Sequence, residues 1–166
     1  MTGFYAVTLR TLMLLALIAW IGGILFFAFV LAPTVFTVLP TREMAGNVVS
    51  RSLTALHWIG LISGTVFLGC SLAYNQRTLA RPRTFAAAHV FVVLMLALTL
   101  VSQFAITPRM RTLRAQLGTI DNVSLTDSRR MEFDHLHAWS TRAEGGVLCL
   151  GLLVVVLTAR SDQAPR

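Results

Sequence analysis

Three side chains capable of acid–base chemistry share one helix face shortly before the last apolar run of the chain. His137, Ser140 and Glu144 follow one another at helical spacing, which places them on the same side of an α-helix. Glu144 lies about one turn deeper in the apolar run than Ser140. An isolated carboxylate in lipid costs roughly 3 kcal/mol, so it must face other helices and find a donor, or be protonated. The pattern therefore predicts a polar site inside a membrane bundle.

Three side chains could be the partner of Glu144. Arg142 is close in sequence, whereas Arg51 and His57 would have to come from elsewhere in the fold. An ionisable residue inside a membrane span is by default a functional-site hypothesis. The alternative is a buried pair that only fixes the register of the helices.

Two histidines occupy equivalent places before apolar runs. His57 follows a leucine in LTALHWIG, and His137 follows a leucine in FDHLHAWS. Imidazole is a common metal ligand and an axial ligand of haem, so the pair could hold a metal ion or a haem, or relay protons with Glu144. No CxxC, HxxxH or HExxH spacing supports a metal site, and interfacial histidines often only bind loop backbone.

The sequence thus predicts one polar site with a tentative pair of metal ligands. His135 points away from the face of His137 and is left out of it. The metal ligands would be His57 and His137. The complete predicted site consists of His57, His137, Ser140, Glu144, Arg51 and Arg109.

A second group of soft ligands lies towards the other membrane surface. His89 is roughly level with Cys70 and Met13, and thiol and thioether groups suit Cu(I). No second histidine is available there for a haem, and simple packing is the better interpretation of both Cys70 and Met13. Cys70 and Cys149 lie inside apolar runs, which argues against a disulfide framework.

Composition sets the protein class. Of the 166 residues, 55% are hydrophobic and only 13% are charged, which is typical of a small polytopic membrane protein. Each span needs about 20 apolar residues, and the first run is too long for a signal-peptide core. The chain is predicted to be a single transmembrane domain, 1–166, with spans at about 8–32, 53–75, 84–107 and 140–159.

Amphipathic segments separate the spans. Segments at about 41–52, 108–117 and 126–139 are predicted to be interfacial helices, with Gly118 as a C-cap. Pro33 and Pro108 are expected to kink or end the first and third spans. The fold class is therefore all-α, an integral membrane four-helix bundle with interfacial amphipathic helices. The matching order of the two halves suggests a parallel 2+2 repeat, with coincidence as the alternative.

All 14 basic residues are arginine, and they flank the spans. The net charge of +7 is consistent with membrane flanks, and nucleic-acid binding gains no support. The compact loop with Arg77, Arg81 and Arg83 favours cytoplasmic termini in the inner (plasma) membrane, although the raw arginine count points the other way. No nucleotide-binding loop or catalytic triad is present, so an enzyme is the less favoured class.

The motifs WIGGILFFAFVLAPTVF, LPTREMAGNVVSRSLTALHWIG, ITPRMRTLRAQ and FDHLHAWS together resemble the transmembrane protein 205-like family. That resemblance implies a four-span membrane domain of unknown function and a loose connection with soft-metal handling. The WIGG motif also faintly resembles the CopD and HemJ families. The family-like residues are Trp20, Gly22, Gly23, Pro33, Gly46, Arg51, His57, Pro108, Arg109, His137 and Ser140.

Three functions follow as hypotheses. The first is binding or translocation of a metal ion or small solute, by an oligomer because four short spans enclose little volume. The second is a redox protein holding haem between His57 and His137. The third is a non-catalytic membrane scaffold in which the polar residues only lock the helices.

Overall fold

The computed structural model describes residues 2–78, 82–118 and 122–161. The described residues contain helices and no strands. The α-helices are α1 (Thr2–Phe26), α2 (Ala32–Val38), α3 (Arg42–Thr78), α4 (Pro82–Val101), α5 (Thr107–Leu117) and α6 (Ser128–Ser161). The side chains of Arg77, Arg81 and Arg83, on which the predicted orientation rests, lie outside the described part of the chain.

Four helical segments of the described chain are long and apolar enough to cross a membrane. They are Gly3–Val38, Arg42–Asn75, Ala87–Leu117 and Ser128–Arg160. Large apolar side chains such as Phe4, Ile18 and Ile62 lie more than 60% exposed on the outside of the bundle. So much exposed apolar surface is a liability in water and is satisfied by lipid. The predicted all-α membrane four-helix bundle is confirmed.

Two of the three predicted interfacial helices are continuous with the spans that follow them. Residues 42–52 and 128–139 run without a break into those spans, as the first parts of α3 and α6. With a rise of 1.5 Å per residue, the 37 residues of α3 extend about 55 Å, against about 30 Å of hydrocarbon. These segments therefore continue the axes of their spans, because nothing interrupts their backbone hydrogen bonds.

Both prolines that were expected to kink or end a span lie just after a π-helical turn. The π-segments are Phe27–Leu31 before Pro33 and Ser102–Ile106 before Pro108. A proline ring clashes with the carbonyl four residues earlier, and one wider turn accommodates that clash. The helix accordingly continues as α2 after the first π-segment and as α5 after the second. Gly118 ends α5 with a φ of 61°, as predicted.

The two halves of the chain share one plan. The first residues of the two π-segments, Phe27 and Ser102, are 75 residues apart, and so are Pro33 and Pro108. In each half the proline-containing helix leads into one long helix. α1 packs chiefly against α3, and α4 chiefly against α6. This order agrees with the predicted 2+2 arrangement.

The core within the membrane is apolar and closely packed. Trp20, Phe67, Met95, Val92 and Val154 are all at most 2% exposed. The indole of Trp20 lies directly on α3, where Gly60 and Gly64 leave room for it. A small-xxx-small pair of this kind lets helices approach closely without side chains between them.

A second, smaller apolar cluster lies outside the predicted spans. We call residues 42–52, 107–117 and 128–139 the head layer. Leu113 and Leu117 of α5 pack there on Phe133 of α6. The Arg114 guanidinium lies 5.4 Å from the centre of the Phe133 ring. α5 is thereby fixed against α6 at the end of the bundle opposite the termini.

Replacing Gly60 by alanine should destabilise the bundle. A Cβ at this position would lie 2.4 Å from Nε1 of the buried Trp20, so the ring or the helix must shift. We expect a loss of about 1–3 kcal/mol, the usual cost of overpacking, measured as thermal unfolding of the purified protein in detergent. Gly22→Ala is the matched control, since nothing lies within 4 Å of a Cβ there. Equal melting temperatures for the two variants would contradict this packing.

The N-terminus of α6 has a side-chain cap. Asp127 Oδ1 accepts a hydrogen bond from the backbone N–H of Arg129, 2.8 Å away, and its carboxylate also pairs with the Arg129 guanidinium. The hydrogen bonds from the Arg129 side chain and then its backbone N–H lower the pKa of Asp127 below its usual value. The helix therefore begins at Ser128.

Asp127→Ala should lower the melting temperature, whereas Asp127→Asn should retain most of the cap because asparagine is as good an N-cap residue. Since the pKa of Asp127 is lowered on folding, the stabilisation from its ionised form is complete above the ordinary pKa and is lost as the pH falls through the lowered one. The difference in melting temperature between the wild type and Asp127→Asn should thus shrink in strong acid. A difference that stays constant down to that pH would be inconsistent with an ionised cap.

Candidate functional site

His57 is the centre of the polar site. It lies on α3 with only 1% of its surface exposed. Its Nε2 is 2.7 Å from Oε1 of Glu144 on α6, and its Nδ1 is 2.9 Å from Oε1 of Gln103 in the second π-segment. Both ring nitrogens are therefore engaged, and one imidazole joins three separate elements of the bundle.

Glu144 lies about as far along α6 as His57 lies along α3, so the two meet at the same depth. Of the three partners offered by the sequence, the structure places His57 against the carboxylate. The side chain of Glu144 is 17% exposed, against 1% for His57. The carboxylate thus forms the outer edge of the site and the imidazole its buried part. Glu144 satisfies the requirement that an acid inside a span find a donor.

Gln103 was missed by the sequence reasoning. It is an amide side chain within the apolar run VSQFAITP, five residues before Pro108. A polar amide inside a span and close to a proline that distorts the helix could have indicated a functional residue, because the π-turns found at such distortions often occur at functional sites. The π-segment changes which faces its residues present, so ordinary helical spacing does not predict that Gln103 faces His57.

The hydrogen-bond pattern limits the roles of the two ring nitrogens. With the Gln103 oxygen facing Nδ1, the ring donates to Gln103, and its Nε2 either donates to an ionised Glu144 as the imidazolium or accepts from a protonated Glu144 as a neutral ring. A half turn of the amide would instead direct an N–H of Gln103 at Nδ1. A neutral ring would then accept from Gln103 and donate to Glu144.

The other predicted site residues lie apart from this centre. His137 is exposed in the head layer and stacks on Phe133, with ring centroids 6.4 Å apart. Ser140 is buried, one turn above Glu144 on α6. Arg109 forms a two-point ion pair with Glu132, at 2.6 and 2.8 Å, near the surface. Arg51 is exposed, and His135 is also exposed.

The predicted metal-ligand pair does not form in the structure. His57 uses both nitrogens on Glu144 and Gln103, while the ring of His137 is exposed beside Phe133. Among the described residues, no group of three or more His, Cys, Asp or Glu side chains is placed to hold a metal ion. His57 and His137 occupy equivalent places in the sequence, but Glu144 is the residue that lies level with His57, because α3 and α6 begin at different distances before their histidines.

The other end of the bundle has a second polar pair. Ser71 Oγ, which is fully buried, lies 2.8 Å from Nε2 of His89. Cys70 is half-buried, Cys149 is exposed on the outside of α6, and both are free thiols. Met13 belongs to the apolar core. The contact of His89 with a hydroxyl differs from the soft-ligand set suggested by the sequence.

One buried hydroxyl lies beside Gln103 in the second π-segment. Ser102 is fully buried, and its Oγ is the one buried side-chain oxygen or nitrogen of the described chain without a hydrogen-bond partner. Thr99, one turn earlier, donates to the Met95 carbonyl as helical hydroxyls commonly do. The π-turn thus coincides with a local break in this pattern, next to the polar site.

Comparisons with known proteins give a family and no activity. Residues 15–119 match the family described as a domain of unknown function, DUF4149. The match includes His57 and Gln103 and ends before α6, which supplies Glu144. No curated protein and no solved structure matches the chain.

Breaking the His57–Glu144 pair should destabilise the bundle, and the size of the loss should depend on which of the two residues is replaced. His57→Leu leaves the carboxylate without its donor, and we expect a loss of roughly 3 kcal/mol. Glu144→Gln keeps an acceptor oxygen opposite Nε2 and should cost less. The double replacement His57→Leu with Glu144→Leu should be milder than His57→Leu alone. Thermal unfolding of the wild type and the three variants in detergent measures this, and a double replacement that is no milder than His57→Leu alone would contradict the pairing.

Proposed function

The chain belongs to the family of DUF4149, a domain of unknown function, and from the geometry of its polar site we propose that it binds a proton at the His57–Glu144 pair and passes it through the membrane, alone or with a small solute. The observation that carries this proposal is a histidine only 1% exposed, held between a carboxylate and an amide inside a membrane bundle. Ionisable groups inside spans commonly mark proton or solute pathways.

The site can gain or lose a proton without leaving a buried polar group unpaired. In the protonated form the ring donates to both Glu144 and Gln103. After proton loss, a half turn of the Gln103 amide supplies an N–H to the neutral ring. A buried donor or acceptor without a partner costs about 1–3 kcal/mol, and this arrangement avoids that cost in both forms. Gln103 therefore acts as an adaptable partner of His57.

The proton would enter by way of Glu144. Its carboxylate is the more exposed member of the pair, and it lies on the side of the bundle near the head layer. Towards the other end, Phe67, Val92 and Met95 are at most 1% exposed and form a dry apolar layer. The Ser71–His89 pair lies beyond that layer. Passage across the whole bundle thus requires a movement of the helices, as in alternating access.

A metal or haem function receives less support from the same geometry. A haem between His57 and His137 needs both rings at one iron, and His137 lies exposed on Phe133. A metal ion at His57 would have to displace either Glu144 or Gln103 from the ring. We therefore propose passage of a proton, alone or with a small solute, and no step is assigned to a metal.

Several further features of the chain are part of the proposal. We place the protein in the inner (plasma) membrane with both termini in the cytoplasm, and we expect an oligomer because four spans enclose little volume. The family match includes three of the four motifs that resemble the transmembrane protein 205-like group, all except FDHLHAWS. The finer relationship to that group and the fainter CopD and HemJ resemblance remain predictions.

Proton flux in liposomes tests this function. Purified protein is reconstituted with a pH-sensitive dye inside, and a potassium diffusion potential, negative inside, is imposed with valinomycin. Wild-type protein should acidify the lumen faster than empty vesicles. His57→Gln and Glu144→Gln should be about tenfold slower or more, because each removes a group that takes up or hands on the proton.

Glu132→Gln is the matched control, since it neutralises another glutamate of α6 that pairs with Arg109 in the head layer. It should retain wild-type flux. If wild-type vesicles behave like empty ones, or if Glu144→Gln retains full flux while melting at a lower temperature, the proton function is wrong. The second outcome would favour the scaffold alternative, in which the pair only locks the helices.

A further inference from the structure

We propose that Arg51 and Arg111 form a binding site for the phosphate group of an anionic membrane lipid. The site lies on the outer surface between α3 and α5, near the edge of the membrane. It involves none of the three residues that contact one another at the proton site. The proposal goes beyond the proposed function and does not depend on it.

The two arginines are brought together by Thr54. The Arg111 guanidinium donates to Thr54 Oγ1, and the Thr54 hydroxyl in turn donates to the Ser50 carbonyl 2.9 Å away. Arg51 lies one turn before Thr54 on the same face of α3 and is exposed, as is Arg111. One N–H of Arg111 is used by Thr54, so the rest of its donor fork remains for an acceptor outside the protein.

The carboxylates of the described head layer are engaged elsewhere. Glu132 pairs with Arg109, and Asp134 pairs with Arg130. Asp127, at the start of α6, pairs with Arg129. Among the described residues, neither Arg51 nor Arg111 forms an ion pair. Two neighbouring guanidinium groups without a carboxylate repel each other, and a shared phosphate would remove that repulsion with charge-assisted hydrogen bonds.

Glu43 is the remaining acid of this part of the structure. It lies eight residues before Arg51, about 12 Å along α3, and its field acts on Arg114. At physiological ionic strength the Debye length is about 8 Å. Glu43 therefore leaves the positive potential at Arg51 largely intact.

Two aromatic rings lie directly below the arginines. Trp58, one turn deeper than Thr54 on α3, contacts Phe104 edge to face, with ring centroids 6.1 Å apart. Their side chains are 49% and 60% exposed. Tryptophan rings concentrate at the membrane–water interface, and arginine side chains above them reach the headgroup phosphates. The arginines above and the rings below match a lipid with its phosphate at the guanidinium groups and its chains against Trp58 and Phe104.

The equivalent positions after the first π-segment carry no cation. By the 75-residue offset between the halves, Phe104 corresponds to Phe29, and Arg111 corresponds to Phe36. Phe29 and Phe36 are both exposed, so two aromatic rings face outward at these positions. An arginine at this place after a π-segment thus occurs in one of the two halves.

Quenching of Trp58 by brominated lipid tests the proposal. In a Trp139→Phe background, Trp58 is the one exposed tryptophan, since Trp20 is 2% exposed. The protein is reconstituted in phosphatidylcholine containing equal mole fractions of either brominated phosphatidylglycerol or brominated phosphatidylcholine. With both arginines present, Trp58 fluorescence should be quenched more by brominated phosphatidylglycerol than by brominated phosphatidylcholine. Each arginine should contribute about a fivefold preference at low salt.

Arg51→Gln with Arg111→Gln should abolish this preference, and Arg142→Gln should retain it. Arg142 is a suitable control because it is another exposed arginine beside a surface aromatic residue, Trp139, on α6. Far-UV circular dichroism checks that each variant is folded. Equal quenching by the two lipids, a preference that survives in the double variant, or an equal loss in Arg142→Gln would each overturn the proposal.

Inorganic phosphate distinguishes a lipid from a free anion. Phosphate is added at about 10 mM, far above the Kd expected for a specific ligand, and the control receives chloride at the same ionic strength. The added phosphate should leave the lipid preference unchanged. If it removes the preference, the site binds a free phosphate rather than a lipid, and the assignment to a lipid is wrong.

Discussion

Inside a bilayer no water is available to pair with a polar side chain, and this chain nevertheless carries a histidine, a glutamate and a glutamine within its spans. The cost of leaving one of them unpaired is several kcal/mol in such surroundings. They therefore have to meet, and their meeting fixes the relative rotation and depth of α3, α6 and the second π-segment. The contacts of Trp20 with Gly60 and Gly64 bring α1 onto α3 at the same time. The polar site and the tight apolar core thus act on the same helices.

The same requirement explains the most unusual local feature, the π-turn before Pro108. A regular helix would present its residues with a period of 3.6, whereas the wider turn changes the direction of Gln103 relative to α4. The equivalent turn before Pro33 contains only apolar residues and holds no buried ones. The two halves thus share a backbone plan, and one of them uses it for polar chemistry. The proposed lipid site takes one of its two arginines from that half, since Arg111 follows this π-turn and Phe36 follows the other, while Arg51 comes from α3.

The head layer is the second consequence of long, uninterrupted helices. Because α3 and α6 are longer than the hydrocarbon is thick, they carry their charged first turns to one end of the molecule, where α5 packs on α6. Several of the charges there form pairs near the surface, such as Arg109 with Glu132, and pairs of this kind contribute little stability. His137 belongs to this layer and stacks on Phe133, so its place beside an apolar run does not make it part of the buried site.

The sequence by itself determined the class of the protein, because runs of apolar residues bounded by arginine have no other stable environment than a bilayer. It also determined that Glu144 must face other helices, and it included His57 among the possible partners, since the cost of an unpaired acid in lipid does not depend on the fold. Only the tertiary structure decided that the third member is Gln103 and that His137 stands apart. Those outcomes depend on a π-turn and on the relative depth of two long helices. Both are set by packing between segments distant in sequence, which helical periodicity within a single segment does not contain.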